Sequence, residues 1–246
     1  MNREELGQTL VLIKPDALKN SLTGYVLSQL SEFHTGLRFA GAKIVHVSRM
    51  LAEEHYAEHR GKVFFPSLIE YIMGLIHYPD EPGRRRVIAL VYQGSDAVKK
   101  IRDICGPTNP HIAREKRPGC IRALGTIVPL RDAAGNDIGE RMDNLIHASA
   151  SDEEGEREIK LWFTPSDFPP FMRSFATEVN EEDHYYFRDG KLLMTHEPGS
   201  VCLIAPGDAV WESDIEALRA LRQGLPASVS LGAVAAKYLI NHTAEK

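Results

Sequence analysis

The chain has 246 residues, 43% of them hydrophobic and 26% charged, with a net charge of -5. That length gives room for one large domain or a domain with an appendage, and the balance is that of an ordinary soluble globular protein. The acidic balance argues against a general nucleic-acid binder, although a few converging basic groups can still hold a phosphate. The three cysteines have no metal-ligand spacing and are expected as reduced thiols in the cytoplasm. The N-terminus lacks a signal-like apolar region and no run is long enough to span a bilayer, so no membrane association is expected. The sequon at Asn241-His242-Thr243 is read as chance.

In chain order, residues 9–14 form a continuous apolar run ending in Lys14, the pattern of a buried central strand that Pro15 must end. Lys14 is then either a salt-bridged surface lysine or a ligand-binding group at a strand end. Val26, Leu27, Leu30 and Phe33 form an amphipathic helical stripe over residues 23–33. Residues 39–47 predict a second strand, 53–60 a short polar helix containing His55 and Tyr56, and 64–71 the opening of another helix. The adjacent Phe64 and Phe65 suit a core; if one is exposed, its face suits stacking on a nucleobase. Residues 74–86 carry loop chemistry and end in a basic cluster, Arg84-Arg85-Arg86, read as solvated.

Residues 87–92 predict a third strand and 96–105 a helix, stopped by Gly106-Pro107-Thr108-Asn109-Pro110. Residues 111–122 read as a basic loop closing on Pro118-Gly119-Cys120-Ile121-Arg122. Residues 129–142 have hairpin-turn character. Asn144-Leu145-Ile146-His147-Ala148-Ser149-Ala150-Ser151 then places a histidine between an apolar run and a helix start. Ser151 and Glu154 have capping-box spacing, and Ile159, Trp162 and Phe163 follow at helical spacing. His147 is either a structural turn residue or a reactive imidazole. Glu158, about two turns into that helix, can fold back to set its tautomer.

Past residue 163, Thr164 to Pro170 reads as a linker or docking loop. Residues 185–194 read as a hairpin with an Asp-Gly turn, 201–205 as a strand, and 214–222 and 229–240 as helices. This segment is too apolar for a disordered tail and its core is small, so it is expected to pack on the rest of the chain or on a partner subunit. No Walker P-loop, G-x-S-x-G or H-E-x-x-H pattern occurs, so phosphate handling must rest on side chains.

The segment from Asn144 to Ser151, followed by Glu158-Ile159-Lys160-Leu161-Trp162-Phe163, resembles the active-site segment of the nucleoside diphosphate kinases, N-I-I-H-G-S-D-S and E-I-x-L-W-F. Lys14-Pro15-Asp16, Gly106-Pro107-Thr108-Asn109-Pro110 and Pro118-Gly119-Cys120-Ile121-Arg122 extend the resemblance over residues 9–163. Ala150 departs from it where the family has aspartate, and residues 74–86 and 129–142 are insertions.

The resemblance implies an α+β, ferredoxin-like fold: a four-stranded antiparallel sheet covered by helices, over residues 1–166. Residues 167–246 would be a small α+β extension. It implies a ping-pong transfer of the γ-phosphate of an NTP to an NDP through phosphorylated His147, with Mg2+ held mainly by the nucleotide phosphates. Glu158 would orient the imidazole and Tyr56 would lie near it. Lys14 would hold sugar hydroxyl and phosphates, Arg102, Thr108 and Arg122 the phosphates, and Asn144 the sugar. Phe64 would stack on the base and Leu68 line the same cleft. The expected partners are NTP and NDP and, as a homo-oligomer of two or more, other copies of the chain. The second insertion falls where family members contact neighbouring subunits and partly close over the base, which argues against the usual hexameric assembly and leaves no safe equivalent for the far wall of the base pocket. The alternative is a nucleotide-binding or scaffolding module with little turnover.

Overall fold

The computed structural model describes residues 7–240; the sequon at 241–243 lies outside them. The first half runs β1 (Gly7–Ile13), α1 (Pro15–Lys19), α2 (Thr23–Gln29), α3 (Glu32–Thr35), β2 (Arg38–Val45), α4 (Arg49–His55), α5 (Phe65–Ile72) and β3 (Val87–Gly94). It continues with α6 (Ala97–Cys105), α7 (Pro110–Lys116), β4 (Thr126–Arg131), β5 (Asp137–Asp143), β6 (Ile146–Ala148) and α8 (Asp152–Trp162). Strands pair in the order β2-β3-β1-β6, antiparallel throughout. This is the ferredoxin-like sheet expected from the motifs.

The apolar run of β1 is a central strand because both of its faces are covered. Leu10 and Leu12 face a core built with α4, α5 and α8, and Val11 and Ile13 face a second core against α2 and α6. Period-2 alternation therefore sorts one short strand between two hydrophobic layers.

Several local readings need correction. The helix expected over 53–60 begins at Arg49, because the Ser48 side chain caps it by accepting from Leu51 N. The stretch after Asn109, read as loop, opens with α7. The Asn109 side chain accepts from His111 N and Ile112 N, and Pro110 takes the first helical position, where its missing N–H costs nothing. The capping box at residue 151 is only half formed. Ser151 Oγ accepts from Glu154 N, but the Glu154 carboxylate accepts from Ala150 N at 3.0 Å and not from Ser151.

The segment beyond residue 168 forms β7 (Thr177–Val179), β8 (Tyr185–Arg188), β9 (Lys191–Leu193), β10 (Val201–Ile204), β11 (Ala209–Trp211), α9 (Glu212–Arg222) and α10 (Leu231–Ala236). The Asp-Gly hairpin is present between β8 and β9, with Asp189 at φ 49° and Gly190 at φ 79°, the left-handed pair that such a turn needs. The final helix is shorter than the expected 229–240. β7 pairs with β11, about thirty residues away in sequence.

This segment has its own small core of Tyr185, Phe187, Leu203, Val210, Ile215 and Leu218, with Val234. It also docks. Trp211, Ala236 and Ile240 join the core of α4, α5 and α8, and Trp211 Nε1 donates to Phe163 O at 2.7 Å, just past the end of α8. Lys237 and Asp214 form a buried ion pair at 2.7 Å behind this contact. The extension therefore clamps the helices that carry His55 and Glu158.

Candidate active site

His147 is the middle residue of β6, opposite Leu12 of β1. Its neighbours Ile146 and Ala148 are buried in the α2–α6 core, so alternation turns His147 to the other face of the sheet, toward α8. The chain reaches β6 through Leu145, at φ 69°, a left-handed conformation uncommon for a bulky side chain. The surroundings impose it: Leu145 N donates to Asp16 Oδ2 at 2.9 Å, and Leu145 O accepts from Lys14 N at 2.9 Å.

The His147 Nε2 lies 2.9 Å from the Glu158 carboxylate. Ser149 Oγ donates to the same carboxylate at 2.7 Å and accepts from Leu10 N at 3.1 Å. Burial alone would raise the Glu158 pKa. The His147 and His55 imidazoles and the two hydrogen bonds outweigh it and hold the carboxyl down at about 2. An ionised carboxylate only accepts, so Nε2 carries the ring proton and Nδ1 is left with the lone pair. Among the described residues Nδ1 has no hydrogen-bond partner.

The reach of Glu158 depends on Gly155. A Cβ at that position would stand 2.7 Å from Gln8 O, so only glycine lets α8 lie this close to β1. Beneath the pair sits His55, whose ring meets His147 edge-on with centroids 4.6 Å apart. Trp162 Nε1 donates to His55 Nδ1 at 3.2 Å, and burial pulls the His55 pKa down to about 3, so this ring is neutral near pH 7.

A cavity of about 340 Å³ opens over His147. It brings together every residue singled out from the sequence: Lys14, Tyr56, Phe64, Leu68, Arg102, Thr108, Arg122, Asn144, His147 and Glu158 all line it. Lys14 Nζ donates to Asn144 Oδ1 at 2.7 Å, and Asn144 Nδ2 donates to Thr108 O at 2.9 Å, so Asn144 ties the strand-end lysine to the loop before α7. Burial lowers the Lys14 pKa to about 8, against the pull of Asp16. Arg122, in a turn before β4, is fixed by bonds to Gly106 O and Ile146 O at 2.9 and 3.3 Å, and its Nε is buried with no partner. Arg102 Nη1 lies 3.5 Å from Ala148 O. Tyr56 Oη is likewise buried and unpartnered, and burial pushes its pKa up, so it stays a neutral donor. Three cations and two unpartnered polar groups, Arg122 Nε and Tyr56 Oη, thus line the same cavity as His147, which suits a polyanion.

His55, His147 and Glu158 also offer ligand atoms within 4.8 Å of one another. Two imidazoles and a carboxylate do not fit magnesium, which takes oxygen ligands in an octahedron. One nitrogen of each ring is engaged already, His55 Nδ1 with Trp162 and His147 Nε2 with Glu158.

Sequence reasoning missed the role of His55 and the far wall of the cavity. The hairpin of β4 and β5, the second insertion, supplies Glu140, Arg141 and Met142 to that wall. The turn at Asp132 to Asn136 was visible in the sequence, but the direction in which the hairpin folds was not.

The nucleoside diphosphate kinase family profile matches residues 7–168. A nucleoside diphosphate kinase of Pyrococcus furiosus is 37% identical over 170 residues, covering 69% of this chain and 91% of that protein. One of Symbiobacterium thermophilum is 40% identical over 169 residues, covering 69% and 94%. Among solved structures, the Borrelia burgdorferi nucleoside diphosphate kinase, described as a transition-state mimic with bound vanadate and ADP, is similar with a TM-score of 0.52 and 28% identity, covering 68% of this chain and 92% of that one. The Halobacterium salinarum enzyme in complex with CDP gives a TM-score of 0.50 and 32% identity, covering 66% and 90%.

Proposed function

This chain belongs to the nucleoside diphosphate kinase family and is a phosphotransferase of that type, and we propose that it works through a phosphohistidine at His147. The observation that carries this reading is the paired engagement of one ring: Nε2 bound to Glu158 at 2.9 Å, and Nδ1 free beside Lys14, Arg102 and Arg122. In the first half-reaction Nδ1 attacks the γ-phosphorus in line, the P–Nδ1 bond forms, and the bond to the β,γ-bridging oxygen breaks with its electron pair leaving on the NDP. The Nε2–H stays in place, and the positive charge that develops on the ring is stabilised by Glu158. A second NDP reverses the step with its terminal oxygen as nucleophile.

Lys14, Arg102 and Arg122 neutralise charge on the phosphates, and Thr108 and Tyr56 donate to oxygens near the reacting atoms. Asn144, which already holds Lys14, reaches the sugar, and Phe64 and Leu68 form the apolar end where the base lies. Magnesium enters with the nucleotide as part of the substrate; its ligands are phosphate oxygens and water, since the only three-residue cluster of candidate ligands among the described residues is the wrong donor set. The binding-module alternative is not favoured, because a scaffold has no use for a half-buried imidazole held by a buried carboxylate at an anion site.

Residues 1–166 form the kinase unit in this reading, and 167–246 an appendage that braces α4 and α8. The protein acts as a homo-oligomer of two or more copies in the cytoplasm, in keeping with cysteines that are all free. Among the described residues no helix is long and apolar enough to cross a membrane. Replacement of His147 by alanine tests the function: exchange between ATP and GDP is lost completely while nucleotide affinity persists. Retained exchange in that variant would refute the reading.

A further inference from the structure

The two insertions meet beside the cavity. His77, from the first, contacts Asp143 at 3.0 Å through Nε2. Asp143 holds Arg141, from the second, at 2.6 and 3.2 Å, and Arg141 Nη1 donates to Ser67 Oγ on α5 at 3.2 Å. Burial would raise the Asp143 pKa, but the bonds from His77 and Arg141 pull it down, so it is an ionised partner. This chain of four residues pins β5 against the helix that carries Leu68 and starts beside Phe64. The arginine charge is neutralised inside the network.

Residues alternate along a strand, so Glu140 and Met142 project from the opposite side of β5 to Arg141 and Asp143. Both line the cavity with Phe64 and Leu68, as does Arg141, whose charge is already paired with Asp143. Glu140 is exposed and makes no ion pair or side-chain hydrogen bond among the described residues. It is the uncommitted charge that the network presents at the apolar end of the cavity.

We propose that Glu140 is a specificity-determining residue, which accepts hydrogen bonds from the donor edge of a nucleobase and makes this site favour guanine nucleotides over uracil and thymine nucleotides. The inference rests on the reading above that the Phe64 end holds the base. An ionised carboxylate offers acceptors only. Guanine presents two adjacent donors, the ring N1–H and the 2-amino group. Uracil and thymine flank a single N–H with two carbonyl oxygens, which a carboxylate repels. Adenine and cytosine each place one amino group beside an acceptor nitrogen and fall between. Stacking on Phe64 is indifferent to these edges, so discrimination comes from the hairpin. Because Glu140 is open to water, the preference is modest, roughly fivefold, the size of one exposed charge-assisted bond.

The test is calorimetric binding of GDP and UDP, with no triphosphate present, to the full-length wild-type protein and to Glu140→Ala, Glu140→Lys and Phe64→Ala. The wild type should bind GDP about fivefold more tightly than UDP, Glu140→Ala should bring the two within twofold, and Glu140→Lys should tip the balance to UDP. Equal wild-type affinities, or a guanine preference that survives Glu140→Ala, would overturn the proposal. The readout needs no phosphotransfer. A guanine preference that depends on Glu140, in a protein that never phosphorylates His147, would sustain this inference and contradict only the catalytic one. Unchanged affinities in Phe64→Ala would remove the base from this end and overturn both the placement and the proposal.

Discussion

Gly155→Ala tests the catalytic geometry from a residue that touches no substrate. The added Cβ would stand 2.7 Å from Gln8 O, whereas ordinary contact begins at 3.4 Å, so α8 must move away from β1 by about 0.7 Å. Glu158 lies one turn further along the same helix. A displacement of that size stretches its 2.9 Å bond with His147 Nε2 to about 3.6 Å, beyond a hydrogen bond. A lost charge-assisted bond is worth about 2 kcal/mol, so kcat should fall roughly 30-fold. Overpacking should cost about 1–3 kcal/mol of stability as well. The assay is steady-state exchange together with 15N chemical shifts of the His147 ring, which report the tautomer. The expected result is a lower kcat, little change in nucleotide affinity, and a ring that samples both tautomers. Wild-type kcat with an unshifted Nε2 resonance would refute the link between helix packing and the imidazole.

Lys14, with its pKa lowered to about 8 from 10.5, is protonated below that pH and loses its charge above it. A bound phosphate raises the pKa again, so by linkage NDP affinity should weaken as pH climbs through 8 to 9; an affinity flat across that range would argue against Lys14 as a phosphate ligand. Lys237→Met should destabilise the chain by about 3–5 kcal/mol, because it strands Asp214 in the interior at 2% side-chain exposure, and the double variant with Asp214→Leu should recover most of this in urea unfolding. Trp211→Ala should cost about 3–5 kcal/mol and lower kcat as well, since it frees the end of α8; unchanged kcat in a folded variant would separate the extension from catalysis. Chelation of magnesium should stop exchange without lowering Tm, as expected for an ion bound by substrate; a lower Tm would mean that the protein holds the ion itself.

The parts of this site that were legible in the sequence share a physical cause. Lys14 follows an apolar strand, His147 sits in the middle of a short one, and Ser151 caps the helix that returns Glu158, so local chemistry placed each group at the same end of the sheet. Resemblance to a family added roles for Phe64, Leu68, Arg102, Thr108, Arg122 and Asn144, and the structure gathers all of them around one cavity. What stayed illegible is held by tertiary contacts. Leu145 has no propensity for its left-handed backbone and takes it because Asp16 and Lys14 bind its peptide groups. Gly155 looks like a helix defect until Gln8 O is seen above it. The pairing of β7 with β11 and the meeting of His77 with Asp143 join residues far apart in the chain, where no periodicity reports them. α7 is different: Asn109 and Pro110 both stop the preceding helix and start the next, and a stop and a start written in the same residues hide one another.

The most direct test of the central claim is to mix the purified full-length protein with magnesium and γ-labelled ATP, with no acceptor, and to locate the label by mass spectrometry under non-acidic conditions before adding GDP. The expected result is label on His147 that then passes to GTP. Bound nucleotide with no label on His147, or label on another residue that still reaches GTP, would contradict it.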